Sequence, residues 1–462
     1  MQKILSKYGL AAHLAFVAVA PLFLFPFCGA DWTARALLWL TGLAFVWLVM
    51  EPSRRSGEML YDARLRVLSE LVRDPLFWLT VCFAALAAAR WANGGIRMAY
   101  DSELARWYLL EAACGILPGC ADPPAGFLTF AIAIALVVLI AGCRHALGKS
   151  ARISFLFTYA LLAGVASVTA VSVSAFGGPE AAALTRCALE EGSFAGSAFG
   201  VAFLCGIVVV AGGLECRWNR YFLLFVFAVG ANGAGLYFFA PPPVILVYLV
   251  AALLTLLVVI VYVLFTQGST GTLKSLAAVI LAAGVTALFI MGMASAELNA
   301  ARTAFPDDGL LPDSYLQVRR LLSDIAVKVW KEHPWLGTGL GSFGLDVKFN
   351  LTPADWKLFT GSPACALNGW WQLLAERGIV GGICFAAAVG FLAFTFVRRL
   401  VFGFRKPFFH PSCWLGPTVL AAVVTETFVD ASFLRPDLIL AVGAVLALSG
   451  SSLPVIRTSG DE

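Results

Sequence analysis

The chain has 462 residues, 60% of them apolar and 13% charged, with 36 Phe and 13 Trp. A soluble domain carries roughly 45–50% apolar and about 25% charged residues, so this balance excludes an ordinary soluble fold. The net charge of +4 leaves no electrostatic footprint for nucleic acid. His13, His145, His333 and His410 and the eleven Cys are too scattered for a zinc site, so no metal or cofactor is expected.

Apolar runs long enough to cross a hydrocarbon core of about 30 Å recur along the chain. They predict spans near 9–28, 33–50, 75–92, 125–143, 153–175, 194–214, 221–240, 243–265, 275–294, 378–397, 412–429 and 437–455. The first follows Lys3 and Lys7, as the core of a signal peptide does. A second span comes almost at once, so the first is expected to remain as an uncleaved helix. The predicted fold is an all-α polytopic membrane protein of about 12 transmembrane helices with one large, partly helical loop between helices 9 and 10. Helices 1–9 occupy residues 1–294, the loop 295–377, and helices 10–12 residues 378–462.

Lys and Arg set the expected orientation. Loop 51–74 carries Arg54, Arg55, Arg64, Arg66 and Arg73, and loop 144–152 carries Arg144, Lys149 and Arg152. Arg217 and Arg220 lie in loop 215–220, and Arg398, Arg399, Arg405 and Lys406 in 398–411. The alternate short loops hold only Arg435, so both termini are expected in the cytoplasm and the large loop outside. Cys82, Cys143, Cys205 and Cys384 fall within apolar runs and read as small core residues. Cys114 and Cys120 share an outer loop, where oxidising conditions permit a disulfide between them.

Segment 57–73 sets Leu60, Leu68 and Leu71 among charges, the pattern of a helix lying on the cytoplasmic face. Lipid or partner contact and a plain surface helix both fit it. The large loop is long enough to expect a function. From Tyr315 to Pro334, Val318, Leu322, Ile325 and Val329 recur at helical spacing and give one apolar stripe. Arg320, Asp324 and Lys328 read as a charge ladder on that helix, whereas Arg319 has no partner four residues on. In the segment Trp335–Phe343, Gly337, Gly339 and Gly341 alternate, which allows a tight turn or close backbone approach.

Together these segments resemble the O-antigen ligase and O-antigen polymerase superfamily of bacterial inner membranes. Its members place an Arg about fifteen residues before a Pro-aliphatic-aliphatic-Gly-x-Gly-x-Gly-x-Phe stretch. Here Arg319 precedes Pro334 by fifteen, and Gly337, Gly339, Gly341 and Phe343 match. The family's next helix opens on Ala-His-Asn and reads Gln-Leu-Leu-Ala-Glu-x-Gly-Ile-x-Gly. Asn368, Gln372, Leu373, Leu374, Ala375, Glu376, Gly378 and Gly381 match it over residues 315–382. Two departures stand out: Leu367 occupies the family's His position, and Phe238–Ile245 lacks the Ser-Arg pair many members carry there.

The resemblance implies transfer of a glycan from an undecaprenyl-pyrophosphate carrier to an acceptor glycan or glycolipid on the periplasmic side of a bacterial cytoplasmic (inner) membrane, with membrane lipid as a further partner. Arg319 is the expected clamp on the developing pyrophosphate charge, with Arg320 second. His333 is the only outward His and reads better as solvated. Glu376 is the expected carboxylate at the mouth of helix 10, in a catalytic role or as a favourable charge at a helix N-terminus. Asn368, Gln372 and the three glycines are expected to line the substrate. Trp370 and Trp371, with Trp330, Trp335 and Trp356, fit stacking under a sugar ring and also an interfacial aromatic belt. Without the His, a degenerate member that binds lipid-linked glycan as a scaffold is the alternative; a polyprenyl-sugar transporter is another, with Glu426 the chief charge inside a span.

Overall fold

The computed structural model describes residues 2–52, 58–93, 98–101, 106–109, 120, 123–176, 195–215, 222–240, 243–261, 313–339, 342–352, 355, 365–402, 411–429 and 436–450. Helices dominate them. Helix α1 runs Gln2–Met50 but breaks at Gly29, whose φ of 70° and ψ of 179° suit glycine alone. The break reverses the chain. His13 Nε2 lies 2.9 Å from the Leu40 carbonyl, and a Cβ on Gly9 would stand 2.4 Å from the Trp47 ring. A straight helix would hold residues 9 and 47 about 57 Å apart at 1.5 Å per residue. So α1 is two antiparallel helices joined at a single glycine where the first two spans were expected, and its second half, Cys28–Met50, is long and apolar enough to cross a membrane.

The chain continues through α2 (Leu60–Val72), α3 (Pro75–Ala92) and α4 (Pro123–Ala141), which ends in a π-turn, Gly142–Ala146. Then come α5 (Lys149–Phe176), α6 (Ala195–Glu215), α7 (Phe222–Phe239) and α8 (Pro243–Val261). The last five are α9 (Asp313–Glu332), α10 (Phe343–Asn350), α11 (Gly369–Phe402), α12 (Pro411–Val429) and α13 (Pro436–Gly450). One departure from an all-helical chain is an antiparallel hairpin of β1 (Met98–Asp101) and β2 (Arg106–Leu109), with Met98 opposite Leu109.

Among the described residues six helices are long and apolar enough to cross a membrane: Cys28–Met50, Pro75–Ala92, Pro123–Ala146, Ala151–Val173, Pro243–Val261 and Gly369–Arg398. Shorter apolar helices occupy Tyr8–Leu24, Gly196–Val210, Val226–Phe239, Trp414–Phe428 and Leu438–Leu448. The chain is a helical membrane protein. The expected span 275–294 lies outside the described residues.

The burial pattern follows from a lipid solvent. On α8, Leu246, Leu249, Val250, Leu253, Leu254 and Leu257 are exposed at helical spacing, while Val244, Tyr248, Ala251, Thr255 and Val259 are buried. Apolar side chains gain little by leaving lipid for protein, so small residues and interhelical hydrogen bonds hold the bundle. Gly164 packs on the Ala228 backbone, and Gly196 lies so close to the Ala240 backbone that a Cβ there would stand 2.4 Å from its nitrogen. Ser167 donates to the Ala231 carbonyl at 2.6 Å, and Asn232 Nδ2 to the Ala160 carbonyl at 2.8 Å. Cys143 and Cys205 are buried in this core, whereas Cys82 and Cys384 are exposed on their helices. Cys120 is buried against Gly126, and Cys114 lies outside the described residues.

One end of the bundle is charged. Asp74 caps α3 by accepting from the Leu76 N–H, and its other oxygen takes Arg144 Nε and His145 Nε2, both at 2.7 Å. His145 Nδ1 is 3.4 Å from Glu70 on α2. Burial alone would push the Asp74 carboxyl up; the His145 hydrogen bond and the Arg144 charge outweigh it and hold the group below its ordinary value. Arg144 and Arg152 of the expected basic loop are thus partly drawn into the fold, Arg152 donating to the Leu147 and Arg144 carbonyls.

Candidate functional site

The site begins with an amphipathic helix. On α9, Leu322, Ile325 and Val329 are buried, with Val318 and Leu321 partly so. They pack with Phe343 and Val347 of α10 and with Ala366 and Ala375 around the start of α11. The three segments that carry the sequence motifs therefore share one small core, separate from that of the bundle.

Backbone pairing then locks the glycine loop into α11. That helix breaks at Gly378 (φ 63°, ψ −169°), which would leave carbonyls unpaired before the break and N–H groups unpaired after it. Loop 334–339 supplies both. Thr338 N–H donates to the Ala375 carbonyl at 2.9 Å and Gly339 N–H to the Glu376 carbonyl at 3.1 Å. In return Ile379 N–H reaches the Pro334 carbonyl at 2.8 Å and Val380 N–H the Trp335 carbonyl at 3.2 Å. The fit is tight on both sides. A Cβ on Gly337 would stand 2.4 Å from the Glu376 backbone, and one on Gly378 2.2 Å from the Trp335 oxygen.

Arg90, near the end of α3, ties this splice to the bundle. Its side chain is 1% exposed; Nη2 donates to the Leu336 carbonyl at 2.8 Å and Nη1 to the Glu376 carbonyl at 3.4 Å. Asp74 caps the opposite end of the same helix, about 24 Å away at 1.5 Å per residue, so the motif segments and the charged end sit at opposite ends of α3. Glu376 is buried, takes a 3.1 Å bond from Gln372 Nε2, and lies within electrostatic reach of Arg90 and Arg377.

The loop carries a brace of its own. Thr338 Oγ1 donates to Asp346 Oδ2 at 2.9 Å and contacts Ser342 Oγ, which donates to the Gly339 carbonyl at 2.9 Å. Burial raises the Asp346 carboxyl above its ordinary value, and the hydroxyl bonds from Thr338 and Ser342 only partly offset it.

Arg319 and Trp370 converge on Phe428, at the end of α12. Arg319 Nη2 donates to the Phe428 carbonyl, and the Trp370 ring centroid lies 5.6 Å from the Phe428 ring. Arg319 makes no ion pair among the described residues. Two residues back, the fully buried Glu426 accepts from Ser197 Oγ of α6 and, at 2.8 Å, from Tyr248 Oη of α8. Trp370 also meets Phe385, and Trp371 meets Trp330.

The expected site residues fall into distinct places. Arg319 stands beside Trp370 through Phe428. Gly337, Gly339 and Glu376 belong to the splice, and Gly341 lies outside the described residues. Asn368 is a helix cap, its Oδ1 accepting from Trp370 and Trp371 N–H at 3.2 and 3.3 Å. Gln372 braces the same turn, accepting from Ala366 N–H at 2.9 Å while donating to Glu376. The expected charge ladder does not form: Arg320 and Asp324 are exposed without an ion pair among the described residues, and Lys328 donates to Asn350 at 2.7 Å. Glu376 is not at a solvated mouth, because α11 starts at Gly369 and carries it a full turn and more inside. Leu367 adopts a φ of 49°, rare for a branched side chain, and packs against the α9 core. His333 is exposed.

Sequence reading missed Arg90 and Asp346. The signal for Arg90 was present, since a charge inside an apolar span marks a functional position by default. Asp346 gave none, because a lone Asp in a loop is ordinary. Comparison with known families and with characterised proteins finds none that matches this chain.

Proposed function

We propose that the protein is a membrane glycosyltransferase of the O-antigen ligase or polymerase type, moving a glycan from an undecaprenyl-pyrophosphate carrier to an acceptor glycan or glycolipid. In this reading it crosses a bacterial cytoplasmic membrane twelve times, with both termini cytoplasmic and loop 295–377 periplasmic. The observation that carries the proposal is the convergence of Arg319 and Trp370 on Phe428, beside the shared core of the three motif segments. Among the described residues the Arg319 guanidinium bonds to a carbonyl and no carboxylate, which leaves its charge for a pyrophosphate, and Trp370 reaches the same Phe428. Buried donors support the same reading. Among the described residues, Arg90 Nε, Arg377 Nε, Trp330 Nε1 and Trp370 Nε1 have no acceptor, four of the seven such buried donors and all close to the motif segments. Phosphate and sugar oxygens are the acceptors that such donors fit.

In mechanism, Arg319 stabilises negative charge as the glycosyl–pyrophosphate bond breaks, and the carrier keeps that electron pair. The acceptor hydroxyl attacks the sugar carbon and gives its proton to the departing pyrophosphate or to water, since Leu367 has no group to take it. That substitution favours the second reading, a scaffold that binds lipid-linked glycan without turning it over.

The test is glycan transfer by purified protein in lipid nanodiscs, with labelled undecaprenyl-pyrophosphate glycan and mixed acceptors. Turnover that falls about 10²-fold or more in Arg319→Ala supports the transferase. Carrier binding without turnover on any acceptor supports the scaffold instead.

A further inference from the structure

Helix α2 buries one apolar face and exposes another. Ala63, Val67 and Leu71 pack inward, against α3 and the π-turn. Tyr61, Leu65, Leu68 and Val72 are 69%, 47%, 57% and 56% exposed. They fall at spacings of four, three and four, so they form one straight stripe over three turns. The rest of the circumference is polar, with Asp62, Arg66, Ser69, Glu70 and Arg73 together on a third face.

That stripe adjoins exposed apolar surface on two helices long and apolar enough to cross a membrane. Val46, Val49 and Met50 are exposed on the membrane-crossing half of α1 just before α2, and Trp78 is exposed on the first turn of α3 just after it. Two bonds fix α2 against these helices: Trp78 Nε1 donates to the Val72 carbonyl at 2.9 Å and Arg64 Nη2 to the Met50 carbonyl at 3.3 Å. On the polar face, Arg66 pairs with Glu58 at 2.8 Å and Glu70 reaches His145. A helix joined to two spans, with its uncovered stripe running into their exposed apolar surface, has the bilayer boundary as its neighbour.

We infer that α2 lies in the headgroup–acyl boundary of the bilayer, with Tyr61, Leu65, Leu68 and Val72 inserted. The attraction is apolar rather than electrostatic. Glu58, Asp62, Glu70 and Asp74 outnumber Arg64, Arg66 and Arg73 across this segment, so anionic headgroups are not needed. Arg64 lies beside the stripe with its guanidinium held on the Met50 carbonyl.

The test places a genetically encoded environment-sensitive fluorescent residue at Leu68 or at Ser69 in the full chain, reconstituted in zwitterionic nanodiscs. The probe at position 68 is expected to be quenched several-fold more by a lipid bearing a shallow acyl spin label than by aqueous iodide, and the probe at 69 the reverse. The same contrast is expected with the probe at Leu65, which guards against a local defect at 68, and after exchange into anionic lipid. Equal iodide quenching at 68 and 69 overturns the inference, because the stripe then faces water. Protection of 65 and 68 from both quenchers also overturns it, because protein covers the stripe. Insertion only in anionic lipid overturns the apolar account.

Discussion

The Arg90 guanidinium donates to the Leu336 carbonyl at 2.8 Å across 246 residues of sequence, and that bond holds the glycine loop to the transmembrane bundle. The cation is almost fully buried, and its second bond goes to the Glu376 carbonyl. One side chain from α3 thus reaches both halves of the splice between loop 334–339 and the break in α11.

Replacing Arg90 with Met keeps its length and removes the donors. Bonds to charged groups contribute about 1.5–3 kcal/mol, and the Leu336 carbonyl loses the stronger of the two that Arg90 makes. Arg90→Met is expected to lower the apparent unfolding temperature of the purified protein, followed by tryptophan fluorescence, and Arg90→Lys to recover part of the loss. An unchanged transition in Arg90→Met would show that the loop holds without this tie.

Glycine is required at 378 and not at 390. A methyl group on Gly378 meets the Trp335 oxygen and must also adopt a φ of 63°, whereas one on Gly390 meets nothing within 4 Å. Gly378→Ala is expected to cost more than about 2 kcal/mol. Gly390→Ala, within a regular stretch of the same helix, is expected to be neutral or to stabilise by up to about 1 kcal/mol. Thermal unfolding of the pair checks this; equal effects would contradict the close backbone approach.

Asp346 gives a pH signature. A carboxyl whose folded value is raised supports the fold most when protonated. Its contribution is complete below the unfolded value of about 3.9 and is lost as pH rises through the folded value. The unfolding temperature of wild type relative to Asp346→Asn should therefore fall between pH 4 and pH 7. A relative rise over that range would mean that the Thr338 and Ser342 hydroxyls outweigh burial.

Glu426 joins three helices through Ser197 and Tyr248. Glu426→Ala leaves the Tyr248 hydroxyl buried without its acceptor, at a cost of about 1–3 kcal/mol, and loosens the end of α12 that carries Phe428. Lower stability together with weaker carrier binding is expected. Glu426→Gln, which keeps an acceptor for Tyr248, should lose less of both.

How far the sequence was legible follows from which interactions are local. Apolar runs set by length, and the α9 stripe of Leu322, Ile325 and Val329 set by period, were readable because each is a property of one segment. The joint at Gly29 was readable as a short loop between two apolar helices, though not that one residue makes the turn. Roles that depend on distant partners were hidden. Asn368 and Gln372 matched a motif, but their use as a cap and a brace emerges only once α11 is seen to begin at Gly369. Glu376 read as a carboxylate at the mouth of helix 10 and is buried instead. Arg320 and Asp324 had the spacing of an ion pair, yet exposed side chains gain little by holding one geometry. The second apolar face of α2 was hidden because sequence cannot say which of its leucines the protein itself covers.

The proposed function requires a pyrophosphate-bearing lipid to sit at Arg319, beside Trp370 and Phe428, whether or not it is turned over. Native mass spectrometry of the purified protein with undecaprenyl pyrophosphate tests this most directly, with undecaprenyl phosphate as the comparison. Wild type should retain the pyrophosphate lipid in preference to the monophosphate, and Arg319→Ala should lose that preference by about tenfold or more, the loss of one charge-assisted contact of about 1.4 kcal/mol or above. Equal retention of both lipids by wild type and Arg319→Ala would contradict the account.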